Sequence, residues 1–210
     1  MKILLCILLG YAIGAINPSY FLAKARGFDI RRRGSGNAGA SNALILFGKA
    51  LGISCALFDI AKATAAIHLA QLLFGGTPFV LSVTAVATIV GHIFPFYMKL
   101  RGGKGLACLG GAILAFDWRV FLVMLACEAI LAVAVNYICF VPLTASVIFP
   151  IIYGAMSGDL WGALILCLVI PIVFFKHIEN LVRIKNGTEA RLSFLWNKQG
   201  ELERMNITNP

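Results

Sequence analysis

The chain has 210 residues, of which 60% are hydrophobic and 13% charged. A soluble domain carries roughly half its residues as apolar and about a quarter as charged, so a water-soluble globular domain is excluded. Its net charge of +9 is gathered in clusters beside apolar runs and lacks interleaved aromatics, which argues against a nucleic-acid partner.

Apolar runs recur from Met1 to Phe175, each approaching the ~20 residues a helix needs to cross a bilayer. The expected fold class is an all-α integral membrane protein with no separate soluble domain. The opening MKILLCILLGYAIGAINPSYFLAK has the charge and apolar run of a signal peptide, but no small-residue cleavage site ends it. It reads as a retained first helix. Basic residues then cluster at Lys24, Arg26 and Arg31–Arg33, at Lys99, Arg101 and Lys104, and from Lys176 through Arg183, Lys185 and Arg191 to Arg204. Lys and Arg in short loops mark the cytoplasmic side and attract anionic headgroups.

With all three clusters on one side, the crossings between them are even in number. Two fall between Arg33 and Lys99, at Ala43–Phe74 and Phe79–Met98, split by the turn at Gly75–Pro78. Four fall between Lys104 and Lys176, at Leu106–Phe116, Val120–Val135, Ile138–Met156 and Leu160–Phe175. With the first helix this gives about seven transmembrane helices, N-terminus outside and C-terminus cytoplasmic. Leu106–Phe116 is short for a span. Ala43–Phe74 is long and holds Gly48-Lys49, Asp59 and Lys62, so a short re-entrant or interfacial piece is expected near Ala43–Gly48. Residues 1–190 read as one membrane domain. Residues 191–210 read as a polar cytoplasmic tail, on the membrane surface or without structure. No internal repeat supports a transporter of inverted halves. The six cysteines lie in or beside apolar runs without a C-x-x-C pair, so neither a disulfide framework nor a zinc site is expected.

Three polar islands fall on the expected cytoplasmic side. The first is Gly34-Ser35-Gly36-Asn37-Ala38-Gly39-Ala40-Ser41-Asn42. Its glycines let backbone N–H groups approach an anion, and a helix starting after Asn42 would favour one at its N-terminus. A capped hydrophilic loop has the same composition. The second is Gly91-His92-Ile93-Phe94-Pro95 with Arg101-Gly102-Gly103-Lys104-Gly105. It lacks the spacing of a nucleotide phosphate loop, but two cations among glycines suit a phosphate oxyanion; the plain reading is a basic turn, with His92 structural. The third is Lys176-His177-Ile178-Glu179-Asn180-Leu181-Val182-Arg183 with Gly187-Thr188-Glu189. On a helix His177 and Asn180, and Asn180 and Arg183, are neighbours, and His177 suits proton exchange near neutral pH; an amphipathic helix end would look alike. Asp59 and Lys62, three apart in an apolar helix, read as an internal pair anchoring a glycine loop, and His68 as facing a helix interface. Together the islands suit two phosphate-bearing substrates, one of them lipidic, without naming a reaction.

The segments GSGNAGASN, GHIFPFYMKLRGGKG and KHIENLVRIKNGTE resemble, in order and spacing, the three motifs of the bacterial acyl-phosphate:glycerol-3-phosphate acyltransferases, the PlsY family. The resemblance runs from about Leu8 to Glu189, and includes Phe58-Asp59-Ile60-Ala61-Lys62. It implies a seven-helix enzyme of the bacterial cytoplasmic membrane, its site facing the cytoplasm, that moves an acyl group from acyl phosphate to the 1-hydroxyl of glycerol 3-phosphate. The products would be lysophosphatidic acid and phosphate, with no cofactor, metal or protein partner. Carried over by motif, Lys104, His177, Asn180 and Ser35 would be catalytic. Gly36, Asn37, Ser41, Asn42, Arg101, Gly102, Gly103, Gly105 and Arg183 would bind substrate, and Asp59, Lys62 and Glu189 would support the site. The hydroxyl proton would go to an oxygen of the donor phosphate or to His177. The chain departs from the family pattern at Ile45, Asn136, Cys139 and Pro142, and has Ser41 and Cys108 where threonine is usual.

Three rival readings are a transporter or flippase of organic phosphate or lipid, a divergent paralogue with another acceptor, and a non-catalytic membrane subunit. The first needs a polar path across the bilayer, and the outer helix ends are nearly free of charge. The last leaves Lys104 and His177 without a purpose.

Overall fold

The computed structural model describes residues 1–197, 200, 201 and 204. The regular elements of the described residues are all helical: α1 (Lys2–Ala15), α2 (Pro18–Ala25), α3 (Ala40–Phe47), α4 (Lys49–Phe74), α5 (Val80–Ile93), α6 (Leu106–Phe116), α7 (Trp118–Val135), α8 (Phe140–Ser157), α9 (Leu160–Cys167) and α10 (Val169–Lys185). Six stretches are long and apolar enough to cross a membrane: Lys2–Ala25, Lys49–Phe74, Val80–Met98, Trp118–Val135, Phe140–Ser157 and Leu160–Lys185. Leu106–Phe116 is the shorter seventh apolar helix.

Local chemistry sets the breaks. The first apolar run is two helices, because Pro18 opens α2 and Asn17 caps it, its Oδ1 accepting from the Tyr20 N–H at 2.8 Å. The over-long run breaks at Gly48, whose φ of 86° ends α3 and starts α4. Asp117 caps α7 through Arg119 and Val120 N–H groups, at 2.7 and 3.3 Å, and Asp159 caps α9 through Gly162 N–H at 2.8 Å. Asn136 and Gly158 end α7 and α8 in the left-handed region. Pro142 sits in the first turn of α8, where a missing N–H costs no helical bond.

Helices approach most closely where side chains are small, the usual route to association where lipid removes the hydrophobic drive. A β-carbon on Gly14 of α1 would lie 2.1 Å from the Thr88 carbonyl oxygen of α5, and one on Gly91 would lie 2.3 Å from that of Tyr11. Gly111 of α6 is as tight against Ile60 of α4, and Thr64 Oγ1 donates to the Gly111 carbonyl at 2.9 Å. Around these contacts lies a core of Ile67, Ile89, Ile93, Leu109, Phe149, Leu166 and Val173. Leu122, Val123, Ile130 and Ile151 point outward, as a lipid-facing surface requires. His68 departs from expectation: it is exposed, 3.2 Å from Gln71 Oε1 on the same helix, because the inward positions of that turn are taken by Ala66, Ile67 and Ala70.

Gly14→Ala and Gly91→Ala should each destabilise the fold by about 1–3 kcal/mol, the usual cost of overpacking. The check is the thermal unfolding midpoint in detergent. Gly76→Ala, whose β-carbon meets nothing within 4 Å, should leave that midpoint in place.

Candidate active site

The loop between α2 and α3 is built before it can bind anything. The Arg31 guanidinium sits 2.6 Å from the Asp29 carboxylate and donates to the Met98 carbonyl at 2.5 Å. The bond from Arg31 holds Asp29 down at about 2. Asn42, fully buried, organises the rest: its Oδ1 accepts from the Ser35 N–H at 2.8 Å, and its Nδ2 donates to the carbonyls of Ile30, Arg33 and Asn37 at 3.0, 3.0 and 2.8 Å. Gly34, at φ 60°, passes so close that a β-carbon would lie 2.1 Å from Asn42 Oδ1. Asn42 was expected to bind substrate, but its amide is fully occupied inside the loop. Ser35, Gly36 and Ser41 are exposed and Asn37 is half-buried. Among the described residues no side-chain hydrogen bond joins them to Lys104 or His177.

The loop carrying Arg101–Gly105 is pinned to the end of α5. Gly102 N–H donates to the Ile93 carbonyl at 2.9 Å and Gly103 N–H to that of His92 at 3.1 Å. A β-carbon on Gly102 would lie 2.1 Å from the His92 oxygen, and one on Gly103 would lie 2.0 Å from His92 Nε2. These two glycines were expected to touch substrate; both are buried, and they allow the loop to lie flat on His92. Gly105, at φ 91°, turns the chain into α6, and Arg101 is exposed.

Beneath this loop is a buried ionic cluster. Lys62 Nζ is 2.6 Å from Asp59 Oδ1 and 3.1 Å from His92 Nδ1, and donates to the Ile16 carbonyl. Cys108 Sγ lies 3.6 Å from the Asp59 carbonyl oxygen. Asp59, His92 and Cys108 bring potential metal-ligand atoms within 4.8 Å of one another. The Lys62 ammonium lies on the same carboxylate and the same ring nitrogen, so an internal cation already fills that place. His92 and Cys108 join the Asp59–Lys62 pair only through the packing of different helices, which no local spacing announces.

On α10 the residues Val169, Val173, His177 and Asn180 form one buried face. His177 Nδ1 lies 2.8 Å from the Val173 carbonyl oxygen. A carbonyl only accepts, so Nδ1 carries a proton, and the neutral form of the ring has its lone pair on Nε2. One turn on, Asn180 Oδ1 accepts from the Lys104 ammonium, while its Nδ2 donates to Glu189 Oε1 at 2.5 Å. Arg183 Nε donates to Glu189 Oε2 at 2.6 Å. The second and third islands therefore meet directly. Burial pushes the Lys104 ammonium below the ordinary lysine range, Arg183 adds repulsion, and Glu189 opposes both. Cys139 stands before α8; burial, with Glu189 adding to it, pushes its thiol up to about 11, so it is protonated at neutral pH and is no nucleophile. Ile45 is exposed on α3 and brings no charge to the site.

A family profile described as Glycerol-3-phosphate acyltransferase matches residues 4–187. The chain belongs to this family. A glycerol-3-phosphate acyltransferase of Thermotoga petrophila is 36% identical over 187 residues, covering 89% of this chain and 94% of that one. Glycerol-3-phosphate acyltransferase 1 of Oceanobacillus iheyensis is 37% identical over 199 residues, covering 91% and 96%. The crystal structure of PlsY, an integral membrane glycerol 3-phosphate acyltransferase, in its glycerol 3-phosphate form superposes with a TM-score of 0.81 at 27% identity, covering 93% of this chain and 98% of that one. The same protein has been solved in a lysophosphatidic acid form, with a TM-score of 0.78. The chain is thus an all-helical, multi-pass membrane protein of the acyltransferase family.

Gly103→Ala should displace the loop and with it the Lys104 ammonium. A shift of about 1 Å in a positioned group can cost on the order of 100-fold in rate. The expected result is a large loss of turnover in a protein that still elutes as a folded species in detergent.

Proposed function

We propose that this chain transfers a fatty acyl group from acyl phosphate to the 1-hydroxyl of sn-glycerol 3-phosphate, giving 1-acyl-glycerol 3-phosphate and phosphate. The reading rests on family membership and on one observation: a desolvated Lys104 ammonium, held by the Asn180–Glu189–Arg183 network, beside a helix face on which His177 Nδ1 is bonded to the Val173 carbonyl, which reserves Nε2 for a substrate. The neighbouring structures in glycerol 3-phosphate and lysophosphatidic acid forms support the acceptor and the product.

Acyl phosphate is a mixed anhydride and is already activated, so the chemistry needs positioning and charge stabilisation rather than a covalent enzyme intermediate. The acceptor hydroxyl oxygen attacks the acyl carbon. The bond from that carbon to the bridging oxygen breaks, and phosphate leaves with the electron pair. His177 Nε2 takes the hydroxyl proton, the Nδ1 bond to Val173 having fixed the tautomer that can do so. Lys104 stabilises the charge that builds on the carbonyl or on the leaving phosphate. The outward Ser35 and Ser41 hydroxyls and the Asn37 amide supply neutral donors to a phosphate, and Arg101 adds a cation at the rim. Nothing in this route calls for a metal or a cofactor. The basic ends of the helices support a site on the cytoplasmic side of the bacterial inner membrane.

The test supplies palmitoyl phosphate and glycerol 3-phosphate to the purified protein and follows phosphate and lysophosphatidic acid together. The two products should appear in step. Release of phosphate without lysophosphatidic acid would overturn the acceptor assignment. Lys104→Ala should lower kcat by about 10²–10³, the range for losing one group that stabilises developing charge, and His177→Ala by about 10²–10⁴, the range for a positioned general base, with the protein still inserted and folded. Reporter fusions at Thr77 and at the C-terminus should map to opposite sides of the membrane.

A further inference from the structure

The family match stops at residue 187, yet the chain beyond it touches the catalytic network. After α10 the backbone turns back, and Leu192–Leu195 forms a short 3-10 turn against the end of α7. Leu192 N–H donates to the Asn136 carbonyl at 2.8 Å, and Ser193 N–H donates to Asn136 Oδ1 at 3.0 Å. Leu192 and Ser193, at the start of the tail, are therefore docked on Asn136; residues 198, 199, 202, 203 and 205–210 of the segment expected to be polar and surface-lying or unstructured lie outside the described residues.

Further along, the Glu201 side chain is buried, only 6% exposed. A buried carboxylate is costly unless it is paired and hydrogen-bonded. This one accepts from Ser193 Oγ at 2.9 Å and from Arg204 Nε and Nη2 at 3.0 and 2.8 Å, with the Arg191 N–H at 3.4 Å. So fixed, the Arg204 guanidinium turns its remaining hydrogens to the third motif. Nη1 donates to the Gly187 carbonyl and Nη2 to the Glu189 carbonyl, both at 2.6 Å. The planar fork of arginine suits such paired acceptors, and a lysine would not reproduce it.

What Arg204 holds matters because of what Glu189 holds. A carboxylate can only accept, so Glu189 obliges Asn180 to present its Nδ2 side, which leaves Oδ1 for the Lys104 ammonium. Were Glu189 to swing away, the Asn180 amide would be held by the Lys104 ammonium alone and could turn together with it. With Glu189 in place the amide is fixed from both ends, Oδ1 to the lysine and Nδ2 to the carboxylate. We propose that Arg204 and Glu201 are positioning residues of the acyltransferase site, and that the C-terminal tail is a strap holding Glu189, and through Asn180 the catalytic lysine, in register.

The proposal rests on the acyltransferase reading for its kinetic consequence but not for its structural one, so the experiment reads both. Arg204→Ala, Arg204→Lys and Glu201→Gln are made in the full chain. Hydrogen exchange by mass spectrometry is followed in the peptide spanning Asn180–Glu189, and kcat and KM are measured for both substrates. The strap predicts faster exchange at Gly187–Glu189 in Arg204→Ala. It also predicts a kcat lower by about ten- to a hundredfold, the scale of a small misplacement of a catalytic group, with both KM values nearly unchanged. Arg204→Lys recovers only part of the loss, and Glu201→Gln falls between. Unchanged exchange overturns the strap whether or not the wild type makes lysophosphatidic acid. Faster exchange with kcat per folded molecule unchanged overturns the positioning role. A wild type that makes no product fails the functional reading alone, and exchange still decides the strap.

Discussion

Lys62 is the contact on which the rest of the arrangement turns. A charge at membrane depth is tolerated only when it faces inward and is paired. Lys62 meets the Asp59 carboxylate on its own helix, the Ile16 carbonyl at the end of α1, and His92 Nδ1 on α5. The Ile16 carbonyl is available because α1 breaks there: Pro18 opens a new helix, and the Tyr20 N–H that would bond Ile16 goes to Asn17 Oδ1 instead. The break in the first helix and the buried charge are two halves of one device. Replacing the pair by apolar residues would keep the helices packed and lose the point that fixes where three of them cross.

From Lys62 the constraint runs outward in short steps. The ammonium meets the His92 ring, on which Gly103 lies, while Gly102 lies on the His92 carbonyl, each too close to bear a β-carbon. The backbone bonds from these glycines to Ile93 and His92 leave Lys104 as the next residue, directed at Asn180 on α10. The two lysines thus have opposite environments. Lys62 is held by three groups inside the protein. Lys104 has Asn180 as its side-chain partner among the described residues, with further donor capacity for an anion.

The helices were largely legible from the runs themselves, because apolar length and Gly, Pro and Asp punctuation have direct structural causes. Even the awkward run Ala43–Phe74 carried its own answer in Gly48. The sites were less legible. Glycine serves a loop that binds an anion and a loop that packs tightly on a neighbour for the same reason, the missing side chain, so composition does not separate Gly36, which is exposed, from Gly103, which is covered by His92. Asn42 posed the same difficulty, since an amide that binds a phosphate and an amide that staples a loop are alike until their partners are in place. His92 and Cys108 were invisible as members of the Asp59 cluster, because only the packing of α4, α5 and α6 brings them together. His68 was misread because its polarity suggested burial, while the turn around it had already filled its inward positions.

The departures from the family pattern make physical sense as a redistribution of charge. Ile45 contributes none, Pro142 is accommodated in a first turn, and Asn136, in a left-handed conformation that asparagine adopts more readily than most residues, receives the tail instead of an anion. Arg183 is matched by Glu189 and, at 3.8 Å, by Glu179, so its charge is largely compensated within the protein. Among the described residues Lys104 is the cation bonded to the α10 face, with Arg101 exposed at the rim. A phosphate dianion that meets the Lys104 ammonium at the wrong angle loses that contact, so the site depends on holding the lysine in place. The contacts that fix the lysine run from Asn180 through Glu189, whose carbonyl accepts from Arg204.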